Sequence, residues 1–216
     1  MDWILLNLPL IADLTFAHLA LCIPAILLAA AVSLPVAVVA NRLRPVREVL
    51  VSGTGLLYAV PSLPLFVVLP VVIGTGVRDP LNVVVALAIY GTALMVRSAA
   101  DGLDAVSADA RTAATAQGYS RWGRFWAVDL PLAGPALLAG LRVVSVSTIS
   151  LVSVSAVIGV QSLGSLFTDG FQRGIVPSIM SGLVMTAVLA VGLDRLLVLA
   201  GRVCMPWSAA REAPGR

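Results

Sequence analysis

The sequence contains no lysine, so all 14 of its basic residues are arginines. A phosphate-binding P-loop includes a lysine that reaches the β- and γ-phosphates of a nucleotide. Neither that lysine nor the surrounding glycine motif is present, and we therefore expect no nucleotide site and no other cofactor in this chain. If ATP powers the protein, we expect a partner chain to hydrolyse it.

Charged side chains are scarce as well. They make up 12% of the 216 residues, whereas soluble domains usually contain about 25%. Hydrophobic residues account for 59%, and the mean hydropathy is +1.01. So few charges cannot cover the surface of a 22.3 kDa globule, but an apolar exterior is stable in lipid. The composition therefore predicts an all-α integral membrane protein.

The small excess of positive charge does not indicate nucleic-acid binding. The formal net charge is +3 and the isoelectric point is about 9.4. The arginines stand in short clusters between apolar segments, which is the pattern that the positive-inside rule produces in membrane proteins. We therefore expect membrane lipid, and no nucleic acid, among the partners.

Histidine and cysteine are too rare to build a metal centre. The single histidine, His18, begins the first apolar segment without a ligand set, and we interpret it as a boundary residue. Cys22 and Cys204 have no metal-binding spacing and are predicted to be small buried hydrophobic residues. A membrane-embedded enzyme needs a nucleophile–base pair or a metal cluster at membrane depth, and no carboxylate pair lies inside a span. We therefore predict a protein that is not an enzyme.

Five apolar segments are candidates for crossing a bilayer, which requires about 20 residues. Pro61, Pro64 and Pro70 interrupt the second segment, so it is either one kinked span or two short ones, and the total is five or possibly six. We expect residues 1–206 to form one transmembrane domain and residues 207–216 to form a flexible cytoplasmic tail. The predicted spans are 17–40, 49–73, 81–96, 133–158 and 177–200.

The arginines predict how the chain is oriented. Twelve of the 14 fall on one side of the predicted spans, against Arg78 and Arg173 on the other. Because loops rich in arginine face the cytoplasm, five spans with the N-terminus outside satisfy the distribution. A sixth span would disturb it unless the proline-rich segment is re-entrant. The longest hydrophilic stretch, 98–131, is then a cytoplasmic loop in a multi-pass plasma membrane protein.

Four charged residues lie within or at the ends of the predicted spans. Arg97 and Arg142 are near the cytoplasmic ends, where long side chains reach the headgroups, and we interpret them as anchors, with gating as the alternative role. Asp194 and Arg195 are adjacent in sequence, and we interpret them as a pair that lowers the cost of entering the membrane.

Residues 107–118 in the hydrophilic loop are predicted to form a short helix. Ser107 or Asp109 can cap its N-terminus, and the body is rich in alanine. Gly118 can adopt the left-handed conformation that commonly terminates a helix. An aromatic and basic group that suits the headgroup level follows at 121–126. From these features alone, an interfacial loop and a docking element fit equally well.

The spacing within this loop resembles the cytoplasmic signature of binding-protein-dependent ABC importer permeases. That signature is Glu-Ala-Ala, three residues, Gly, nine residues, then Ile-x-Leu-Pro. The sequence has Ala113 and Ala114, then Gly118, then Val128 and finally 130–131, with every spacing preserved. Thr112 stands where glutamate is usual, and Val128 replaces isoleucine.

The resemblance implies a type I ABC importer transmembrane domain in a bacterial inner membrane. It implies that the loop docks on a separate ATP-binding subunit, which holds ATP and Mg²⁺. It also implies a second permease copy or a paralogue, two ATP-binding subunits and an extracytoplasmic substrate-binding protein. The residues that the resemblance assigns to ATPase coupling are Asp109, Thr112, Ala113, Ala114, Gly118, Val128, Leu130 and Pro131.

Further segments resemble the osmoprotectant branch, which imports glycine betaine, carnitine or choline. They include Tyr-Ala-Val-Pro-Ser-Leu-Pro-Leu-Phe at 58–66, Ala-Gly-Leu-Arg at 139–142 and Ile-Gly-Val-Gln-Ser-Leu-Gly at 158–164. The last segment departs from the branch pattern because Gln161 and Ser162 replace two glycines. Related permeases for methionine and other solutes share the Gly-Leu-Gly turn, so an amino-acid importer is the alternative.

Six residues are hypothesised to line the substrate pathway. Quaternary ammonium ligands are usually held by aromatic cages, and the spans contain few aromatic residues. We therefore expect high-affinity recognition in the binding protein and only a weak path here. The alternative roles are packing for the tyrosines and backbone hydrogen bonding for the hydroxyl groups. The six candidates are Tyr58, Pro61, Ser62, Tyr90, Ser145 and Thr148.

Overall fold

A computed structural model describes residues 2–209, and every regular element in that range is helical. Prolines occupy the first turn of several helices, where their missing N–H groups cost no hydrogen bond. The α-helices are α1 (Asp2–Leu6), α2 (Leu8–Arg42), α3 (Arg44–Leu57), α4 (Ser62–Ile73), α5 (Pro80–Asp104), α6 (Ala108–Ala116), α7 (Arg121–Arg124), α8 (Leu130–Val152), α9 (Gly164–Arg173), α10 (Val176–Cys204) and α11 (Pro206–Ala209).

Four helical runs are long and apolar enough to cross a membrane, and the total is five when the bent pair α3–α4 is counted as one broken span. Three of the runs are α2, α5 and α10. The fourth, Arg121–Ile158, joins α7 and α8 through a π-helical turn (Phe125–Asp129) and ends in a 3₁₀ segment (Ser153–Ile158). The prediction of an all-α protein with about five spans is therefore confirmed.

The second predicted span is broken, and the chain turns by 101° between α3 and α4. With 14 and 12 residues, these helices extend only about 21 and 18 Å, so neither crosses a hydrocarbon core of about 30 Å alone. Pro61 lies at the break in an extended conformation, and the Tyr90 hydroxyl donates a hydrogen bond to the carbonyl oxygen of Val60. Two complete spans in this segment are therefore excluded.

Several helices extend past the predicted limits. The first begins at Leu8 rather than 17, the third continues to Asp104 rather than 96, and the fourth begins at Leu130 rather than 133. An apolar run stops at a polar residue such as Asp13 or Arg97, whereas the helical backbone continues through it. Helix α9 lies in a connection where no helix was predicted.

Helix α5 lies at the centre of the bundle, with α2, α3, α4 and α8 packed around it. Ala25 and Ala29 on α2 are fully buried, which allows close approach of the kind that small residues give in membranes. Phe66 of α4 and Leu87 of α5 fill the same core. The most apolar stretch of α10, in contrast, has no buried residue, so its surface is available to lipid or another chain.

Two predictions about rare residues are wrong. His18 is not a boundary residue: it is fully buried, with its Nε2 atom 3.0 Å from the carbonyl oxygen of Ile149 on α8. Because α2 begins at Leu8, position 18 is already in the interior of the helix. Cys22 is buried as predicted, but Cys204 is exposed because it ends α10 at the surface.

The predicted tail is described only in part. Trp207 belongs to the short helix α11, and residues 210–216 lie outside the described residues.

Candidate functional site

Helix α6 forms where the sequence predicts the short helix of the long loop. Ser107 is its N-cap, and its hydroxyl oxygen accepts a hydrogen bond from the Ala110 amide at 3.2 Å. Asp109 is not the cap but lies exposed in the first turn, where its negative charge interacts favourably with the positive end of the helix dipole. The helix ends at Ala116, and Gly118, two residues later, has the predicted left-handed conformation with a φ of +88°. We call residues 107–131 the coupling segment, after the role that the sequence resemblance implies.

Helix α6 turns one small side chain inward and leaves the opposite face open. Ala114 is 6% exposed and packs toward the bundle, whereas Thr112 and Ala113 are exposed. The Thr112 hydroxyl donates to the Ala108 carbonyl oxygen at 2.9 Å, so its own helix satisfies it. The outward face is therefore short, smooth and free of side chains that protrude far.

A buried carboxylate attaches this helix to the next span. The Arg111 guanidinium donates from Nε to Asp129 Oδ1 at 2.8 Å and from Nη2 to the Leu103 carbonyl oxygen at 2.6 Å. Arg124 Nε lies 3.6 Å from the second oxygen of the same carboxylate. Asp129 thus joins α6 and α7 to the start of α8, and Arg111 also joins α6 to the end of α5.

Sequence reasoning missed this connection. Asp129 stands at the variable position of the signature, between Val128 and Leu130, and neither Asp129 nor Arg111 is among the residues that the resemblance assigns to coupling. An acidic residue immediately before an apolar span is costly unless it has a positively charged partner. This signal could have marked Asp129 as a paired residue, although it does not identify the partner.

The remaining signature residues form the joint between the loop and the span. Val128, Leu130 and Pro131 are half-buried at the change from the π-helical turn to α8. Pro131 lies in the first turn of α8, where the absence of an amide N–H is tolerated. The connection between α6 and α8 is therefore short and half-buried.

Aromatic residues flank the joint. Trp122, Phe125 and Trp126 contact one another, with ring centroids 5.4–6.0 Å apart. Trp122 and Trp126 are 66% and 51% exposed. Tryptophan is enriched at the level of the lipid headgroups, so this group marks the membrane surface.

Four of the six pathway candidates meet at the break between α3 and α4. The Tyr58 and Tyr90 rings pack edge to face with their centroids 5.8 Å apart. Tyr90 is 3% exposed and its hydroxyl donates a hydrogen bond to the Val60 carbonyl oxygen, whereas Tyr58 is 43% exposed. Pro61 and Ser62 form the start of α4 beside them. Tyr90 therefore positions the break, and Tyr58 presents an aromatic surface.

The other two pathway candidates lie elsewhere, within α8. Ser145 and Thr148 are buried in the bundle, and the Ser145 hydroxyl donates to the Leu141 carbonyl oxygen at 2.7 Å. This bond matches the alternative role of backbone hydrogen bonding. A pathway role for either residue stays a prediction.

An ion pair between spans replaces the one expected between sequence neighbours. Arg142 on α8 donates to both carboxylate oxygens of Asp194 on α10, at 2.6 and 3.0 Å. Asp194 therefore forms its hydrogen-bonded ion pair with Arg142, and the charge of Arg195 acts on it only at longer range. An anchoring role for Arg142 stays a prediction. Adjacent residues on a helix do not face each other, and the opposite charge comes from a neighbouring helix.

Residues 33–202 match the model of the family described as the binding-protein-dependent transport system inner membrane component. The chain belongs to this family. The permease is 31% identical to the osmoprotectant import permease protein OsmW of Salmonella typhimurium, over 88% of this chain and 90% of that protein. It is 26% identical to the choline transport system permease protein OpuBD of Bacillus subtilis, over 84% and 79%.

The fold agrees with a solved transporter. The inward-facing MetNI methionine ABC transporter superposes with a TM-score of 0.75, 20% identity, and coverage of 92% of the permease and 96% of that chain. The permease therefore has the type I ABC importer fold and is a multi-pass protein of a bacterial inner membrane. It is a transport subunit, and ATP hydrolysis takes place in a separate subunit.

Proposed function

We propose that the permease forms the translocation pathway for an osmoprotectant such as glycine betaine, choline or carnitine. The main support is the set of similar proteins, whose names specify osmoprotectants, choline, glycine betaine and carnitine. One further relative, from Helicobacter pylori, transports ergothioneine, which also carries a trimethylammonium group. A positively charged trimethylammonium group is the common chemical feature.

The geometry at the break supports a weak path for such a cation. Tyr58 offers an aromatic face, which attracts quaternary ammonium groups, at a point where the helix is interrupted. Interrupted helices at mid-membrane depth are where transporters commonly bind their substrates. One exposed ring is far from a full cage, so high-affinity capture belongs to an extracytoplasmic binding protein.

The coupling segment is the proposed contact with the ATPase. Its open face at Thr112 and Ala113 suits a groove on another protein, and Asp109 adds an exposed negative charge in the first turn. The Asp129 ion pairs then transmit a push on α6 to α8 as a rigid-body movement. This role places the arginine-rich end in the cytoplasm and the N-terminus outside.

The proposed complex has further members. One chain of five spans offers too little wall to enclose a pathway, and the unburied apolar surface of α10 suits another membrane subunit as well as lipid. We propose a second permease copy or a paralogue, two ATP-binding subunits that hold ATP and Mg²⁺, and one binding protein. An amino-acid importer of the methionine type is the alternative, since that transporter shares the fold.

The substrate class is tested by the ATPase activity of the reconstituted complex with its binding protein. We expect glycine betaine, choline or carnitine to stimulate hydrolysis at least about fivefold, because ligand-dependent coupling amounts to about 1–3 kcal/mol. Methionine serves as the control ligand and should not stimulate. Stimulation by methionine and not by any trimethylammonium compound would favour the amino-acid alternative.

The coupling role is tested by Gly118→Val. Valine at a φ of +88° costs about 1–3 kcal/mol of backbone strain, which shifts a two-state equilibrium about 5- to 150-fold. We expect uptake to fall by about that factor while ATP hydrolysis continues and membrane insertion is normal. The measurements are uptake by whole cells and hydrolysis by the purified complex.

Gly74→Val is the matched control for this variant. Gly74 has a φ of +81°, and a Cβ atom at either glycine meets no atom within 4 Å, so the local strain is alike. Gly74 ends α4, far from the coupling segment in sequence. If both variants uncouple hydrolysis from uptake equally, the special role of Gly118 is wrong.

A further inference from the structure

A cavity of about 620 Å³ lies at the arginine-rich end of the bundle, between the end of α2 and the coupling segment. Four arginines and one carboxylate line it together with Asn41 and apolar side chains. Its volume is within the range of about 300–1,000 Å³ that is typical of sites for small molecules. The charged lining residues are Arg42, Arg111, Arg121, Arg124 and Asp129.

The positive charge of the cavity is not balanced by the described part of the chain. Asp129 is bonded to Arg111 and lies near Arg124, so three positive charges remain in excess. Within residues 2–209, Arg42 and Arg121 have no ion-pair partner. Arg124 Nε is buried there without a hydrogen-bond acceptor, since 3.6 Å to Asp129 is an ion-pair distance only. Buried donors of this kind normally have a partner, and an anion in the cavity would supply one to Arg124 Nε and would lie beside the exposed Arg42 and Arg121.

The cavity also lies at the surface of the membrane. Arg42 is the last residue of the membrane-spanning helix α2. Phe125 lines the cavity and stacks on Trp122, which is exposed at the headgroup level together with Trp126. An anion that enters from this direction is most readily a lipid headgroup, which is present there at high local concentration.

We propose that this cavity binds the phosphodiester headgroup of an anionic phospholipid, such as phosphatidylglycerol. Guanidinium groups pair with phosphate oxygens through charge-assisted hydrogen bonds, and basic pockets between spans on the cytoplasmic side bind anionic headgroups. The proposal rests on the cytoplasmic placement of this end under the proposed function. The bound phosphate connects Arg42 on α2 to Arg121 and Arg124 on α7, and so ties the coupling segment to the bundle.

The test is phosphatidylglycerol binding to the purified complex, including its ATP-binding subunits, measured by native mass spectrometry in a lipid titration. The variant Arg42→Gln/Arg121→Gln removes two cavity arginines and leaves the Asp129 ion pairs intact. The control, Arg195→Gln/Arg202→Gln, removes two charges near the same end from residues that do not line the cavity. We expect binding to the cavity variant to be about 10- to 30-fold weaker and binding to the control to be unchanged, because each arginine near the surface contributes about 1 kcal/mol.

Three outcomes would overturn the proposal. The first is equal lipid binding by the cavity variant and the control. The second is displacement of the lipid by inorganic phosphate alone, which would identify a site for a free anion. The third is loss of the ATP-binding subunits from the cavity variant with lipid binding unchanged, which would assign the cavity to an acidic side chain of that partner. Lipid binding is measured without transport, so failure of ligand-stimulated hydrolysis would count against the proposed function and not against this site.

Discussion

Gly164→Ala is expected to destabilise the permease by about 3 kcal/mol, the upper end of the usual range for overpacking. A Cβ atom at this position would overlap the carbonyl group of Ser153, with the carbonyl carbon at 2.7 Å and the Cα atom at 2.9 Å. Backbone atoms cannot move aside as a flexible side chain can. The start of α9 would therefore have to separate from the 3₁₀ segment.

The consequences extend beyond the clash itself. The Gly164 amide donates to the Ser162 hydroxyl oxygen at 3.1 Å, and Ser162 is fully buried. Leu163 and Leu166 beside it pack against α1, α2 and α10 in a separate core cluster. Displacing Gly164 thus disturbs both a buried polar contact and a hydrophobic cluster.

The measurement is the resistance of the detergent-solubilised protein to heat, followed as the fraction that remains monodisperse in size-exclusion chromatography. Gly192→Ala is the control, because Gly192 lies within α10 and a Cβ atom there meets nothing within 4 Å. In a helix, alanine is favoured over glycine by about 1 kcal/mol, so this variant should be as stable as the parent or more stable. Parent-like heat resistance of Gly164→Ala would contradict the overlap.

Local signals in the sequence were sufficient to predict helix α6. A capping side chain, a run of alanines and a glycine act within a few residues, so helix α6 and Gly118 could be placed without tertiary information, and only the choice between Ser107 and Asp109 as the cap stayed open. The number of spans also follows from apolar length. The break in the second span was left open because prolines permit either outcome, and Tyr90, about 30 residues away, makes the contact that holds it.

Tertiary ion pairs account for what the sequence did not predict. Asp129 and Asp194 each pair with an arginine that is 18 or 52 residues away in the chain, and neither pattern nor spacing identifies such a partner. His18 was misplaced for a simpler reason. The first span was predicted from its apolar run and therefore began at residue 17, nine residues after the observed start of α2 at Leu8. This start puts His18 at the boundary, although it is in the interior of the helix.

Asp129→Ala is expected to cost about 3 kcal/mol and to weaken the attachment of the coupling segment. Removing one partner of a buried ion pair typically costs about 3–5 kcal/mol because the other charge is left uncompensated. The Asp129 side chain is 11% exposed, but those of Arg111 and Arg124 are 33% and 28% exposed, which favours the low end of that range. We expect lower heat resistance and fewer ATP-binding subunits retained by the purified permease.

Asp104→Ala is the matched control for this loss of an aspartate. Asp104 lies 3.8 Å from Arg44, and the two side chains are 48% and 81% exposed. Exposed pairs of this kind contribute about 0–1 kcal/mol, so the control should behave like the parent. A double-mutant cycle with Arg111→Ala then isolates the pair, and its coupling energy should exceed about 1 kcal/mol. If Asp129→Ala and Asp104→Ala had equal effects, Asp129 would not be the residue that joins the coupling segment to α8.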